Sequence, residues 1–258
     1  MSEILLNGNR IHYISDSEID RSRATVLMIH GAGQRSATWR FQIDLLGKTP
    51  GFNFIAPDLP GHGKSGGEGH RSVDGYKEFI EEFAGTLGLD DLILVGHSMG
   101  GGAAMLFALE HAEKVRACVL VDTGARLRVA EETLKAVKNN YRLFCDISPT
   151  RAFAENSSEE LKKEFREGLL NTSQDVCYWD LVACDEFDIT ARVGEIGVPA
   201  LIVSGSEDIL TPVKYGEYLN KNIKGSSFKV IEKAGHFVMQ ESPEEFNRVL
   251  ISFISALK

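Results

Sequence analysis

Long apolar runs, paired cysteines and clustered basic charge are all missing from this 258-residue chain. No run approaches the roughly 18 apolar residues needed to span a bilayer, and no basic-then-apolar leader opens the sequence. The four cysteines, Cys118, Cys145, Cys177 and Cys184, include no C-x-x-C pair. Reduced thiols and a cytoplasmic location are therefore expected. Lys and Arg total 28 against 37 Asp and Glu, a formal charge of −9 with no Lys/Arg block. That balance disfavours phosphate backbones and anionic membranes as partners. Internal repeats and low-complexity tracts are absent too. A chain of this length buries roughly 70 to 75% of its unfolded surface and needs no disulfide staple. What remains is a soluble, acidic, globular protein that acts on or binds a small molecule.

The most informative stretch present is Gly96-His97-Ser98-Met99-Gly100, G-x-S-x-G, entered by Leu92-Ile93-Leu94-Val95 and followed by small residues. The pattern predicts a strand, a sharp turn and a helix, with Ser98 held out at the strand tip. Around it, apolar runs at Thr25–Ile29, Phe52–Ala56, Val115–Val121, Pro199–Ser204 and Ser227–Ile231 read as strands, after an N-terminal hairpin turning at Asn7-Gly8. Helical spacing falls between them at 36–47, 72–87, 99–111, 211–220 and 242–257. Strand and helix alternation of this kind builds a mostly parallel, twisted α/β sheet with helices on both faces.

Two nucleotide-binding look-alikes in the Gly-rich loop 58–67 are set aside. The Gly-Lys-Ser at its end lacks the first P-loop glycine, Asp58 standing there, and Gly61-x-Gly63-x-x-Gly66 is not followed at once by a helix. His62 and Lys64 read as turn residues of that loop. Residues 125–191 break the alternation with three helical stretches, 128–145, 158–170 and 174–184, and read as an inserted helical cap on a core made of 1–124 and 192–258.

In an open parallel sheet the carboxyl ends of the strands lie along one edge, where residues distant in sequence meet. Ser98 needs a base to become a nucleophile, and His236, after the last strand, fits. The imidazole needs a carboxylate to fix its tautomer. Asp208 and Asp122 both end strands on that edge.

With His30-Gly31-Ala32-Gly33, Gly96 to Gly100, Gly205-Ser206-Glu207-Asp208 and Gly235-His236 in order and spacing, the sequence resembles the α/β-hydrolase superfamily, of the small capped serine carboxylesterase type. The resemblance implies a triad of Ser98, Asp208 and His236, with Asp208 preferred to Asp122 by its Gly-x-x-Asp spacing. It also implies an oxyanion hole made of the Ala32 and Met99 backbone N–H groups. His30 and His97 are read as structural. The cap is expected to shape specificity, with Trp39, Tyr141, Phe144, Tyr178 and Trp179 as candidate substrate-binding walls.

The implied activity is hydrolysis of carboxylic esters with small to medium, mostly apolar acyl groups, without metal or organic cofactor. Carbon–carbon bond hydrolase, lactonase and cofactor-free haloperoxidase activities share the triad. No Ser-Gly-Pro-Gly follows His30-Gly31, which lowers the carbon–carbon reading, although Arg35 could bind a carboxylate. A small-molecule receptor is the non-enzymatic alternative, and the oligomeric state is left open.

Overall fold

The computed structural model describes residues 2–47 and 49–257. Strands β1 (Ser2–Leu6) and β2 (Asn9–Ser15) form a hairpin through Asn7 and Gly8, both at positive φ as a type I′ turn requires. The remaining strands are β3 (Ala24–Ile29), β4 (Phe52–Pro57), β5 (Leu92–His97), β6 (Val115–Val121), β7 (Ala200–Gly205) and β8 (Ser227–Ile231). They complete one eight-stranded sheet of order β1-β2-β4-β3-β5-β6-β7-β8. β1 and β2 run antiparallel to their neighbours, and the other six strands are parallel.

The unbroken apolar runs are explained by burial on both faces: β3, β5 and β7 are covered along their whole length. Alternate residues serve different cores. Leu27, Ile29, Leu92 and Leu94 pack on one face, while Val26, Met28, Ile93 and Val95 pack on the other.

The helices are α1 (Arg40–Leu46), α2 (Val73–Leu87), α3 (Met99–Glu110), α4 (Glu131–Asn139), α5 (Tyr141–Ile147), α6 (Pro149–Ala152), α7 (Glu159–Asn171), α8 (Gln174–Glu186), α9 (Lys214–Asn222), α10 (Val238–Glu241) and α11 (Pro243–Ser255). α2 and α3 contribute to the first core, and α1, α10 and α11 to the second. α2 follows its local signals. The Ser72 side chain accepts from Gly75 N, and Gly88, at φ 69°, ends the helix in the left-handed region.

Three boundaries depart from the expected ones. The helix expected over 36–47 begins as a 3-10 turn, Ser36–Trp39, whose first amide, Ser36 N, donates to buried Asp58 at 2.6 Å. The stretch 128–145 divides at Asn140, whose side chain caps α5 by accepting from Leu143 N. α9 starts at Lys214, three residues after Thr211, and the amides of Leu210 and Thr211 before it donate to the Asp208 carboxylate.

Helices α4 to α8 all lie between β6 and β7, which are adjacent in the sheet. The two ends of this excursion are tied together: Arg126 and Asp188 form a β-bridge, and Ile189 N donates to Ala125 O at 2.8 Å. Among the described residues no helix is long and apolar enough to cross a membrane.

Candidate active site

β5 delivers Ser98 through a turn that only glycine permits on either side. A Cβ on Gly96 would run into the Gly100 carbonyl, and one on Gly100 would lie 2.5 Å from Ile29 O. Ser98 itself has φ 52° and ψ −117°, a sparsely populated conformation that costs about 1–3 kcal/mol. The turn is held in place by the neighbouring strand, since Ser98 N donates to Val121 O at 3.0 Å. Ser98 and His236 both line a cavity of about 420 Å³ between the sheet edge and the helical insertion.

His236 follows β8, and its Nδ1 lies 2.8 Å from Asp208 Oδ2. The rest of that carboxylate is saturated: Oδ1 accepts from the Leu210 and Thr211 amides, and Oδ2 accepts from the Thr211 hydroxyl at 2.6 Å. Burial alone would raise the Asp208 carboxyl, but the His236 charge and the hydrogen bonds from His236 and Thr211 outweigh it and hold it at about 2. On His236 the balance is reciprocal. Burial disfavours the charged ring, yet Asp208 raises it above the ordinary imidazole value.

Asp122 lies elsewhere in this network. Its carboxylate accepts from Gly205 N at 2.8 Å and Val238 N at 3.1 Å, so it ties β7 to α10. Burial and the Asp208 charge push its carboxyl well up.

Ala32 lines the same cavity, and among the described residues its amide donates no hydrogen bond. Met99 opens α3, so its N–H is one of the donors a helix start leaves unpaired. His30 holds this loop as a neutral ring: Nδ1 faces Gly31 O at 2.9 Å while Nε2 accepts from Leu59 N at 3.0 Å. Burial and nearby His62 bring it down to about 4. His97 is more involved than expected. It reaches the cavity wall, and its Nε2 donates to the His236 carbonyl at 2.7 Å, supporting the loop that carries His236.

Of the five aromatic residues expected on the wall, the structure places Phe144 there. Trp39 is instead fully buried in the second core, its ring 6.3 Å from Phe246. Tyr141 directs its hydroxyl to the carbonyls of Leu169 and Thr172 within the insertion. Tyr178 and Trp179 lie beneath Lys138 and Arg71 in cation–π contacts. Apolar spacing identified these rings but not the helix face each one occupies. The wall is made instead by residues such as Leu127, Phe165, Leu181, Leu210 and Phe237.

His62 also departs from its reading as a turn residue, being fully buried against Asp180 of α8. Glu241 is a second carboxylate with no motif to announce it. It accepts from Gly235 N and Phe237 N, on either side of His236, and from Ala154 N and the Ser157 hydroxyl. Among the described residues no group of three or more His, Cys, Asp or Glu is placed to hold a metal ion.

A parallel sheet with a serine-bearing strand-to-helix turn, and a carboxylate–imidazole pair beside it, defines a hydrolase class. Residues 24–243 match the alpha/beta hydrolase fold family, and the chain belongs to it. A 2-hydroxy-6-oxononadienedioate/2-hydroxy-6-oxononatrienedioate hydrolase from Paraburkholderia phymatum is 28% identical, the match covering 95% of this chain and 91% of the relative. Among solved structures, a thermophilic esterase is 35% identical with a TM-score of 0.86, over 99% of this chain and 97% of its own. The enol-lactonase from Burkholderia xenovorans LB400 shares the fold at a TM-score of 0.91 and 22% identity, over 98% and 100%.

Proposed function

We propose that the protein is a serine carboxylic ester hydrolase. The observation that carries this reading is one cavity lined together by Ser98, by His236 with Nδ1 held on Asp208, and by Ala32. Ser98 attacks the acyl carbonyl while His236 Nε2 takes its proton, and Asp208 stabilises the imidazolium that forms. The Ala32 and Met99 N–H groups receive the charge that gathers on the carbonyl oxygen. His236 then protonates the leaving alcohol, and water, activated by the same ring, releases the acid from the acyl-enzyme. Residues 125–191 act as a cap over the acyl site. Because that site is lined chiefly by side chains such as Leu127, Phe144, Phe165 and Leu181, a small to medium apolar acyl group suits it.

One observation favours a second reading, carbon–carbon bond hydrolysis of an acidic substrate like those named for the relatives. Arg151 lies on the cavity wall and makes no ion pair among the described residues. Arg35, the residue singled out for that role from sequence, is not on the wall. A comparison of p-nitrophenyl acyl esters with a vinylogous diketo acid separates the readings. Ester turnover, lost on the order of 10⁶-fold in Ser98→Ala, supports the esterase; turnover of the diketo acid alone refutes it.

A further inference from the structure

Asp180 sits in the middle of α8, in the helical insertion, yet its side chain is wholly buried and its hydrogen-bond partners belong to the sheet domain. Oδ2 accepts from Gly33 N at 2.8 Å and lies 2.7 Å from His62 Nε2, and Oδ1 accepts from the Tyr76 hydroxyl. The other nitrogen of His62, Nδ1, lies 3.0 Å from the Pro60 carbonyl, which can only accept. With acceptors at both nitrogens the ring carries two protons, and His62 and Asp180 form a buried imidazolium–carboxylate pair. Burial opposes the charge on His62, but Asp180 outweighs it and raises the ring above its ordinary value.

This pair reaches the loop that presents Ala32. The Gly31 carbonyl, in the same peptide plane as the Ala32 N–H, is fixed from the core side by His30 Nδ1 and by Gln34 N. The next two peptides are each fixed from the insertion: Gly33 N donates to Asp180, and Gly33 O accepts from the Thr172 hydroxyl at 3.2 Å. Gly33 has φ 66°, and a Cβ there would stand 2.8 Å from Leu169, so the loop and α7 meet without slack.

We propose that Asp180 is a positioning residue that holds the Ala32 amide where the carbonyl oxygen gains charge, so that α8 belongs to the catalytic frame as well as covering it. This rests on the serine hydrolase reading. The bond from Gly33 is charge-assisted and shielded from water, which makes it a stronger restraint than a neutral loop contact. An unoccupied anchor would leave the Ala32 N–H free to tilt while substrate still enters the cavity. The loss then falls on the chemical step rather than on binding.

The test uses the whole protein as wild type, Asp180→Asn and Thr172→Val. A fluorophosphonate titrates Ser98 and counts active sites, and each site's kcat, KM and affinity for a trifluoromethyl ketone, which mimics the tetrahedral adduct, are then measured. Asp180→Asn keeps an oxygen for the Gly33 N–H but removes the charge that strengthens that bond, so kcat per site is expected to fall by about tenfold, less than the loss of one oxyanion donor. The ketone should weaken in parallel, with KM nearly unchanged. Thr172→Val should move both in the same direction by a smaller factor, and it decides the matter if Asp180→Asn does not fold. A fall only in the fraction of titratable sites, or a rise in KM alone, overturns the proposal. If wild-type Ser98 is labelled but no ester is turned over, the esterase reading fails separately, and the rate of phosphonylation per site takes the place of kcat. A wild type that is not labelled overturns both.

Discussion

Replacing Asp208 by Asn keeps the shape of the side chain and removes its charge, and the surrounding bonds dictate how the amide sits. Leu210 N and Thr211 N both donate to Oδ1, so the amide oxygen stays there. The NH₂ group must then take the Oδ2 position, 2.8 Å from His236 Nδ1, and donate to it. That places the ring's own proton on Nε2, where it cannot accept one from Ser98. The expected loss in kcat is about 10⁴-fold, the size seen when a triad imidazole is held in the wrong tautomer. The charge has a second effect. With Asp208 at about 2 against roughly 3.9 for a free aspartate, the folded state favours the ionised carboxylate by about 2 to 3 kcal/mol. That contribution to stability is complete above about 3.9 and is lost as pH falls towards about 2. Asp208 also raises His236, whose neutral form is the base. Wild-type kcat/KM should therefore fall, on acidification, through a midpoint above 6.5, the ordinary imidazole value. In the Asn variant the midpoint should move down, because the Asp208 charge, the largest opposition to burial of the charged ring, is gone. The assay is kcat/KM for a chromogenic ester as a function of pH, with Asp122→Asn as the comparison. A loss under tenfold, or an acid limb that stays in place, would refute the assignment of Asp208 as the group that orients His236.

Four further expectations follow from packing. Gly100→Ala should prevent folding or cost more than about 3 kcal/mol in urea denaturation, because the new methyl meets the Ile29 backbone at 2.5 Å. Gly85→Ala, in α2 with nothing within 4 Å of the new atom, should stabilise by about 0.5–1 kcal/mol in the same assay. Phe144→Ala should shift preference toward longer acyl chains in an ester series by enlarging the cavity. Trp39→Ala should leave that preference alone while costing about 3–5 kcal/mol, since its ring fills the second core.

What the sequence disclosed was whatever depends on local pattern. The two-faced burial of β3, β5 and β7 is written in their unbroken apolar runs, and the turn at Ser98 in two glycines whose Cβ atoms have no room. The pairing of His236 with Asp208 rather than Asp122 was also within reach, through the spacing after β7. Contacts between helices of the insertion and loops of the core were not. Asp180 looks like any charged residue on a helix, and nothing in the Gly-rich loop indicates that His62 will be buried against it. Tyr141, Tyr178 and Trp179 failed as wall residues for a related reason. An amphipathic aromatic ring can turn its apolar body inward and its polar edge, or a cation on its face, toward a neighbour, and only the packing of α4 to α8 decides which way it looks.

The bridge between Arg126 and Asp188 gives the long helical excursion almost coincident ends. For the sheet, whatever is inserted there is a closed loop, and loop-closure entropy grows only slowly with length. A segment grafted between these ends should therefore leave the register of β6 on β7 undisturbed. An incoming segment still inherits an obligation. It must supply a carboxylate for His62 and the Gly33 amide, as Asp180 does, and an acceptor for the His236 amide, which donates to Ala152 O at 2.8 Å, or the loops that carry Ala32 and His236 lose those supports.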